Sequence, residues 1–262
     1  MDSIIFLVVA LVAIAAGYTM DKGQISHLFH LSPALIVFGG TIGAIGVAFP
    51  ISELKNLGAV FKVVFSKPKT NMVELVAYFK QIAFKTRKEG LLSIEEMISG
   101  DDIDPFIKKG LQMVVDGIEP QTVKDTLELS VELIEERHKG GIAIFEAAGG
   151  FAPTLGIIGT VTSLVVVLGN LSSDTSALGE AISSAFIATL YGISSANLLW
   201  LPTASKLKRY NAMEMKEKNL IIEAILCIQE GINPNTLDEK LKGFLDKKEL
   251  QEYESQNGKE GE

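Results

Sequence analysis

The sequence predicts an all-α integral membrane protein, with four transmembrane helices and a helical cytoplasmic domain between spans two and three. Four long apolar segments carry that reading, at roughly residues 3–18, 31–49, 147–171 and 181–201. Three match the ~20 residues that cross a hydrocarbon core as helix, and the first sits near the lower limit. The cations avoid all four. Of 24 Lys and Arg, thirteen lie in 51–146, ten in 203–262, and the last is Lys22. Cytoplasmic loops collect Lys and Arg, so both termini and the large middle block are expected inside, with two short loops outside.

This divides the chain into residues 1–50 (spans one and two), 51–146 (cytoplasmic helices), 147–202 (spans three and four) and 203–262 (C-terminal helices and a polar tail). The first span is not expected to be a cleaved signal peptide, because Met1-Asp2-Ser3 supplies no positive n-region ahead of Ala13-Ile14-Ala15. The net charge of −8 and the interleaving of basic with acidic residues argue against a nucleic-acid partner. The one cysteine, Cys227, excludes an intrachain disulfide and offers no metal cluster. His27, His30 and His138 lie near span ends as solvated side chains.

Span two is rich in glycine (Gly39, Gly40, Gly43, Gly46), which suits close helix packing in lipid. The middle block reads as helices. Residues 51–65 are amphipathic and suited to a membrane surface, and Lys67-Pro68 breaks them. Thr70-Asn71 caps a helix from Met72 to about Lys88, Gly90 interrupts it, and residues 91–98 form a short helix. Asp104-Pro105 starts a helix that ends at Gly117. Glu119-Pro120 opens a long one with Val123, Leu127, Val131 and Ile134 on one face, and Gly140-Gly141 is expected to loosen its join to span three. Residues 116–123 echo 230–237, in both cases a helix stopped at Gly and restarted at Pro. The tail after Leu250 is expected to fray.

An ionisable side chain inside a span marks an ion pathway by default. The cores of these spans have none. Glu146 lies at the inner end of span three, and Asp174 and Glu180 lie at the outer loop. A carboxylate at mid-bilayer would cost at least ~2.5 kcal/mol, so any ion-carrying acid must come from a partner. Spans three and four instead repeat small and hydroxylated residues: Ala152, Gly156, Thr160 and Ser163, then Ser184, Ala188, Gly192 and Ala196 with Thr189 and Ser195 alongside. That pattern suits a packing seam, or a narrow wall on which Thr160 and Thr189 offer hydroxyls to an ion. Periodicity accommodates both. Pro153, among Gly149, Gly150, Gly156 and Gly159, predicts a bendable inner half of span three, and Pro202 marks the inner end of span four. No nucleotide loop, metal triad or nucleophile–base pair appears, so the residues do not describe an enzyme.

Residues 146–161 (Glu-Ala-Ala-Gly-Gly-Phe-Ala-Pro-Thr-Leu-Gly-Ile-Ile-Gly-Thr-Val) resemble span three of the flagellar stator A subunits, the MotA/PomA family related to ExbB and TolQ. Ala188-Thr189-Leu190-Tyr191-Gly192, running on to Pro202, resembles their span four. Arg87-Lys88-Glu89-Gly90-Leu91-Leu92-Ser93-Ile94-Glu95 resembles their charged rotor-facing segment. The similarity extends to about residue 245.

The resemblance implies a multi-pass protein of the bacterial inner membrane, forming a homopentamer around a dimer of a MotB/PomB-type B subunit. The single helix of that partner would bring the aspartate that this chain lacks. It implies no cofactor. Pro153 and Pro202 match the prolines that couple ion flow to movement, and Thr189 matches the pore threonine. Arg87 and Glu95 match charges that engage the rotor protein FliG. Thr160 stands where sodium-driven relatives carry threonine, but Ala188 stands where they often carry a further hydroxyl. The balance favours protons, with sodium the alternative. An ExbB/TolQ-type energiser of outer-membrane transport would have three spans and an external N-terminus. A passive membrane scaffold would use the glycines for packing alone.

Overall fold

The computed structural model describes residues 2–66, 71–98, 100, 103–169 and 175–257, with no strand among them. Helix α1 is Asp2–Met20, and α2 covers 31–48 with a π-helical turn at Leu35–Gly39. Then come α3 (Ile51–Leu54), α4 (Leu57–Phe65), α5 (Met72–Glu89), α6 (Ile94–Ile98) and α7 (Pro105–Val115). Helix α8 is Pro120–Gly169, and α9 covers 175–229 with a π-helical turn at Ala196–Trp200. Helices α10 (Pro234–Lys242) and α11 (Lys247–Asn257) follow. Helices α1, α2, α8 and α9 are long and apolar enough to cross a membrane, in agreement with the four expected spans. The expected break at Lys67-Pro68, the capping Thr70, Asp174 and the tail beyond residue 257 lie outside the described residues.

The structure departs from expectation at five places. The amphipathic stretch 51–65 is two helices interrupted at Lys55-Asn56. Residues 91–98 begin as a 3-10 turn, Leu91–Ser93, before α6. Gly140-Gly141 does not interrupt α8; Gly141 packs beside Val60 of α4, where a Cβ would stand 3.4 Å from that side chain. The tail expected to fray after Leu250 is helical as far as Asn257, because Tyr253 is buried in the core. Pro202, read as the inner end of span four, lies inside α9, which continues to Gln229. The π turn immediately before Pro202 widens the backbone where proline cannot donate.

The described residues form two compact units. One comprises 1–67 with 137–209, and the other 68–136 with 210–262; α8 and α9 contribute to both. In the first, α1 is apolar all round and none of its residues from Ser3 to Met20 is buried. This is the pattern of a helix whose solvent is lipid. Its N-terminal end is tied by Lys206 Nζ donating to Ser3 Oγ at 2.6 Å. The face of α2 holding Pro33, Val37, Thr41 and Ile45 is buried. Of its glycines only Gly40 meets a neighbour, the Leu155 side chain, whereas Gly39, Gly43 and Gly46 have open space.

The second unit has a continuous apolar core that includes Phe79, Ile82, Ile94, Leu111, Leu127, Leu220, Ile225, Leu237 and Leu241. Val123, Leu127 and Val131 of α8 are buried there and Ile134 is half-buried, as the 3.6-residue period predicts. Helix starts are capped as read from sequence. Asp104 Oδ1 accepts from the Phe106 amide at 2.7 Å, and Asn71 Oδ1 from the Glu74 amide at 3.3 Å. The two echoed segments share one geometry. Gly117 and Gly231 have φ +71° and +68°, and the next amide reaches back five residues, Ile118 to Met113 and Ile232 to Cys227. A helix then restarts at Pro120 and at Pro234.

One buried ionic cluster joins α5, α10 and α11. The Asp238 carboxylate, 5% exposed, meets Lys80 at 3.3 Å and Lys242 at 3.0 Å, and the Tyr253 hydroxyl donates to it. Burial pushes the Asp238 carboxyl up, but the hydroxyl and the two ammonium groups outweigh it and hold its pKa below the ordinary 3.8. A depressed folded-state value adds stability that is fully present above that ordinary value and lost as pH falls through the folded one. Asp238→Asn should lower the stability of the detergent-solubilised protein by about 3 kcal/mol at neutral pH, because Lys80 loses its carboxylate partner and Lys242 keeps only Glu239. Melting curves at descending pH should show the gap between wild type and variant closing only in the acid range, below the ordinary carboxylate value.

Candidate functional site: a hydroxyl pair on a glycine seam

Spans three and four meet backbone to backbone. A Cβ on Gly192 would lie 2.6 Å from the Ala152 carbonyl oxygen and 3.2 Å from the Pro153 Cα. One on Gly156 would lie 2.9 Å from the Ala188 carbonyl oxygen. Any side chain at these two positions would force the helices apart. Gly159 continues the seam against Ala188, and Gly149 against Leu201. Ala152 and Ala188 are fully buried. In hydrocarbon no hydrophobic force drives helices together, so association depends on this density of contact.

The seam brings together the two threonines singled out from sequence. Thr160 Oγ1 and Thr189 Oγ1 are 2.6 Å apart. Thr160 Oγ1 also lies 3.0 Å from the Gly156 carbonyl of its own helix and 3.0 Å from the Ala185 carbonyl of the facing one. A hydroxyl has one proton and two lone pairs. The Thr160 proton is shared between two carbonyls, and the Thr189 hydroxyl donates to Thr160. Four oxygens from two helices thus converge beside the closest approach of the spans. Packing and a polar wall are the same surface here.

Pro153 stands on the seam against Gly192 and is half-buried, whereas Pro202 is exposed. Near Pro202 an apolar cavity of about 230 Å³ is bounded by Ile42, Ile45, Leu54, Leu57, Ile144, Phe145, Ala148 and Trp200. The Trp200 indole N–H is buried without an acceptor. Glu146, at the inner end of span three, pairs with Lys208.

Arg87 and Glu95 belong to the other unit and are exposed. Arg87 is in the last turn of α5, where a cation suits the helix dipole. Gly90, at φ +85°, turns the chain into the 3-10 segment that leads to Glu95 on α6. Phe84 and Leu92, 51% and 71% exposed, stand beside these charges, so the segment shows water an apolar surface edged with both signs. Such mixed patches mark protein contacts.

Sequence reading missed one residue of the seam's surroundings. Tyr191 reaches out of α9 to backbone groups at Leu28 and His30. A phenol inside an apolar span must find a partner, which shows from sequence that one exists but not which groups supply it.

The seam predicts the effect of added bulk. Gly192→Ala should lower the melting temperature of the purified protein, since overpacking against backbone costs about 1–3 kcal/mol. Gly17→Ala, with nothing within 4 Å, should match wild type.

Comparison with known proteins agrees with this architecture. Residues 99–219 match the model of the MotA/TolQ/ExbB proton channel family, and residues 4–90 match motility protein A N-terminal. The chain is 39% identical to motility protein A of Bacillus subtilis, over 99% of this chain and 97% of the relative. It is 34% identical to the chemotaxis protein PomA of Vibrio alginolyticus, over 85% of this chain and 87% of that one. Its fold superposes on a chain of the flagellar MotAB stator complex from Bacillus subtilis with TM-score 0.90 at 39% identity, covering 96% of this chain and 99% of the other. A chain of the Campylobacter jejuni MotAB structure gives TM-score 0.89 at 32% identity, covering 94% and 96%. With four spans, a seam without carboxylates and relatives matched along nearly their whole length, this chain belongs to the motility protein A family.

Proposed function

We propose that this chain is the A subunit of a flagellar stator, which with a B subunit conducts ions across the inner membrane and turns the ion gradient into torque. The observation that carries the reading is the Thr160–Thr189 pair on a seam free of carboxylates. The path has polar oxygens and no acid of its own, so it needs the aspartate of a MotB-type helix. Five copies around two B helices, with both termini cytoplasmic, complete the arrangement, and the two-block distribution of Lys and Arg supports that orientation. An ion-channel subunit of this family is not an enzyme class, and no residue here is assigned catalysis.

The partner's carboxylate alternates between proton-bound and free. A unit charge crossing ~100 mV releases ~2.3 kcal/mol, enough to bias a step of the A ring about B. Pro153 and Pro202 are the hinges. Arg87 and Glu95 grip the rotor protein FliG, residues 51–146 carry that rotor-facing surface, and 147–202 line the path.

The state of the Thr160 hydroxyl favours protons over sodium. Its proton is committed to carbonyls of the seam and one lone pair to Thr189, so the pair presents few free lone pairs to a desolvated cation. A proton needs only the partner's carboxylate and a hydroxyl relay.

Two experiments test the assignment. Deleting the gene should leave flagella intact but paralysed. In complemented cells, swimming speed should ignore external sodium and collapse with a protonophore; speed that tracks sodium would reassign the ion. Arg87→Glu and Glu95→Lys should each cut torque severalfold with normal membrane levels. Unchanged motility in both single variants and the double would remove the rotor-contact role.

A further inference from the structure

Between α1 and α2 the chain leaves helical geometry. The 3-10 turn Ile25–Leu28 is followed by Phe29 and His30 in extended conformation, with φ −104° and −121°. Extended backbone at the edge of a membrane span must find hydrogen-bond partners within the protein. Here one side chain serves both sides of the break. The Tyr191 hydroxyl donates to the Leu28 carbonyl oxygen and accepts from the His30 amide at 3.2 Å. Its ring lies 6.1 Å from that of Phe38 on α2.

Tyr191 is two residues beyond Thr189 and one before Gly192. At about 100° per residue, positions 189 and 191 point to opposite sides of the helix. Span four is therefore held on one side against span three, by Thr189 and Gly192. On the other side the Tyr191 hydroxyl holds it to the entrance of span two. The first contact alone lets α9 roll about the smooth glycine seam, because glycine offers no interlocking knob. The second, a two-bond anchor on backbone atoms, sets rotation and depth.

We propose that Tyr191 is a positioning residue for ion transfer: its hydroxyl, anchored to Leu28 and His30, sets the rotation of span four and so holds Thr189 in register with Thr160. This rests on the ion-path reading above. Without the anchor the fold stays closed along the seam, but the hydroxyl pair loses its fixed geometry and each ion transfer slows.

The test measures rotation of single motors driven by the complete A–B stator, on a small bead where ion transfer limits speed. Speed is read as the height of each step when one stator joins. Tyr191→Phe keeps the ring and its contact with Phe38, and should lower step height at least about fivefold, the size expected for losing even one of its two hydrogen bonds, with wild-type membrane abundance. In a Thr160→Ala background the same change should have little further effect, because there is no longer a pair to hold in register; a residue serving only the fold would act additively. Steps of wild-type height, a variant that fails to accumulate, or additive effects would each overturn the positioning role. Thr189→Val run in parallel separates the two readings. If it rotates normally, the ion path itself is misassigned, whereas a blocked Thr189→Val beside a normal Tyr191→Phe overturns the anchor alone.

Discussion

Everything in the span unit depends on two helices touching where neither has a side chain. Gly156 and Gly192 bring the backbones of spans three and four so close that a single methyl would meet a carbonyl oxygen or Cα of the other helix. In lipid, where Leu gains nothing by leaving its surroundings, that proximity is the main attractive term available. The order of the remaining residues follows from it. Small residues must recur along the seam, and the only polar groups that fit are short ones. Threonine fits because its hydroxyl can turn back onto a carbonyl, as Thr160 does onto Gly156.

The same constraint explains why the charge needed for ion transfer is kept off this chain. A carboxylate on the seam would demand space the glycines deny it, and would carry a permanent insertion cost in every copy of a ring. Hydroxyls borrow backbone carbonyls as partners and stay neutral. The acid at the inner end of span three, Glu146, is paired with Lys208. In the other unit water is at hand and the economy differs. There Asp238 is buried with two lysines and a tyrosine around it, which joins α5 to α10 and α11 at the cost of desolvating charges. Helix α5 is also the one that ends in Arg87, so this cluster braces the base of the charged segment.

Much of this was legible in the sequence because lipid enforces simple rules. Four spans followed from length and apolarity, and the caps at Asp104 and Asn71 from residue type. What misled was local chemistry overruled by neighbours. Gly140-Gly141 looks like a weak join, but α8 runs through it unbroken, with Gly141 packed beside Val60. Pro202 looks like a terminus, but a π turn absorbs its missing donor and α9 continues. The seam's two readings could not be separated by period, since packing and an ion-facing wall both ask for small residues every four positions. In the structure the hydroxyl pair lies on the packing surface itself. Tyr191 was hidden for another reason: its partners are 161 and 163 residues away, and no local pattern encodes a contact of that range.

The placement of Thr160 and Thr189 carries a last consequence for how such a path can work. A dedicated cation site holds oxygens apart, with lone pairs aimed at an empty centre. Here the oxygens are drawn together until they bond one another, and the centre is filled by their own protons. For the proton relay proposed above, such a pair works only while the two helices stay in register. The Thr160–Thr189 bond and the Tyr191 anchor lie on opposite sides of span four and together fix its rotation. A seam of glycine resists rotation little by itself, so the hydrogen bonds on either side of span four make its register discrete.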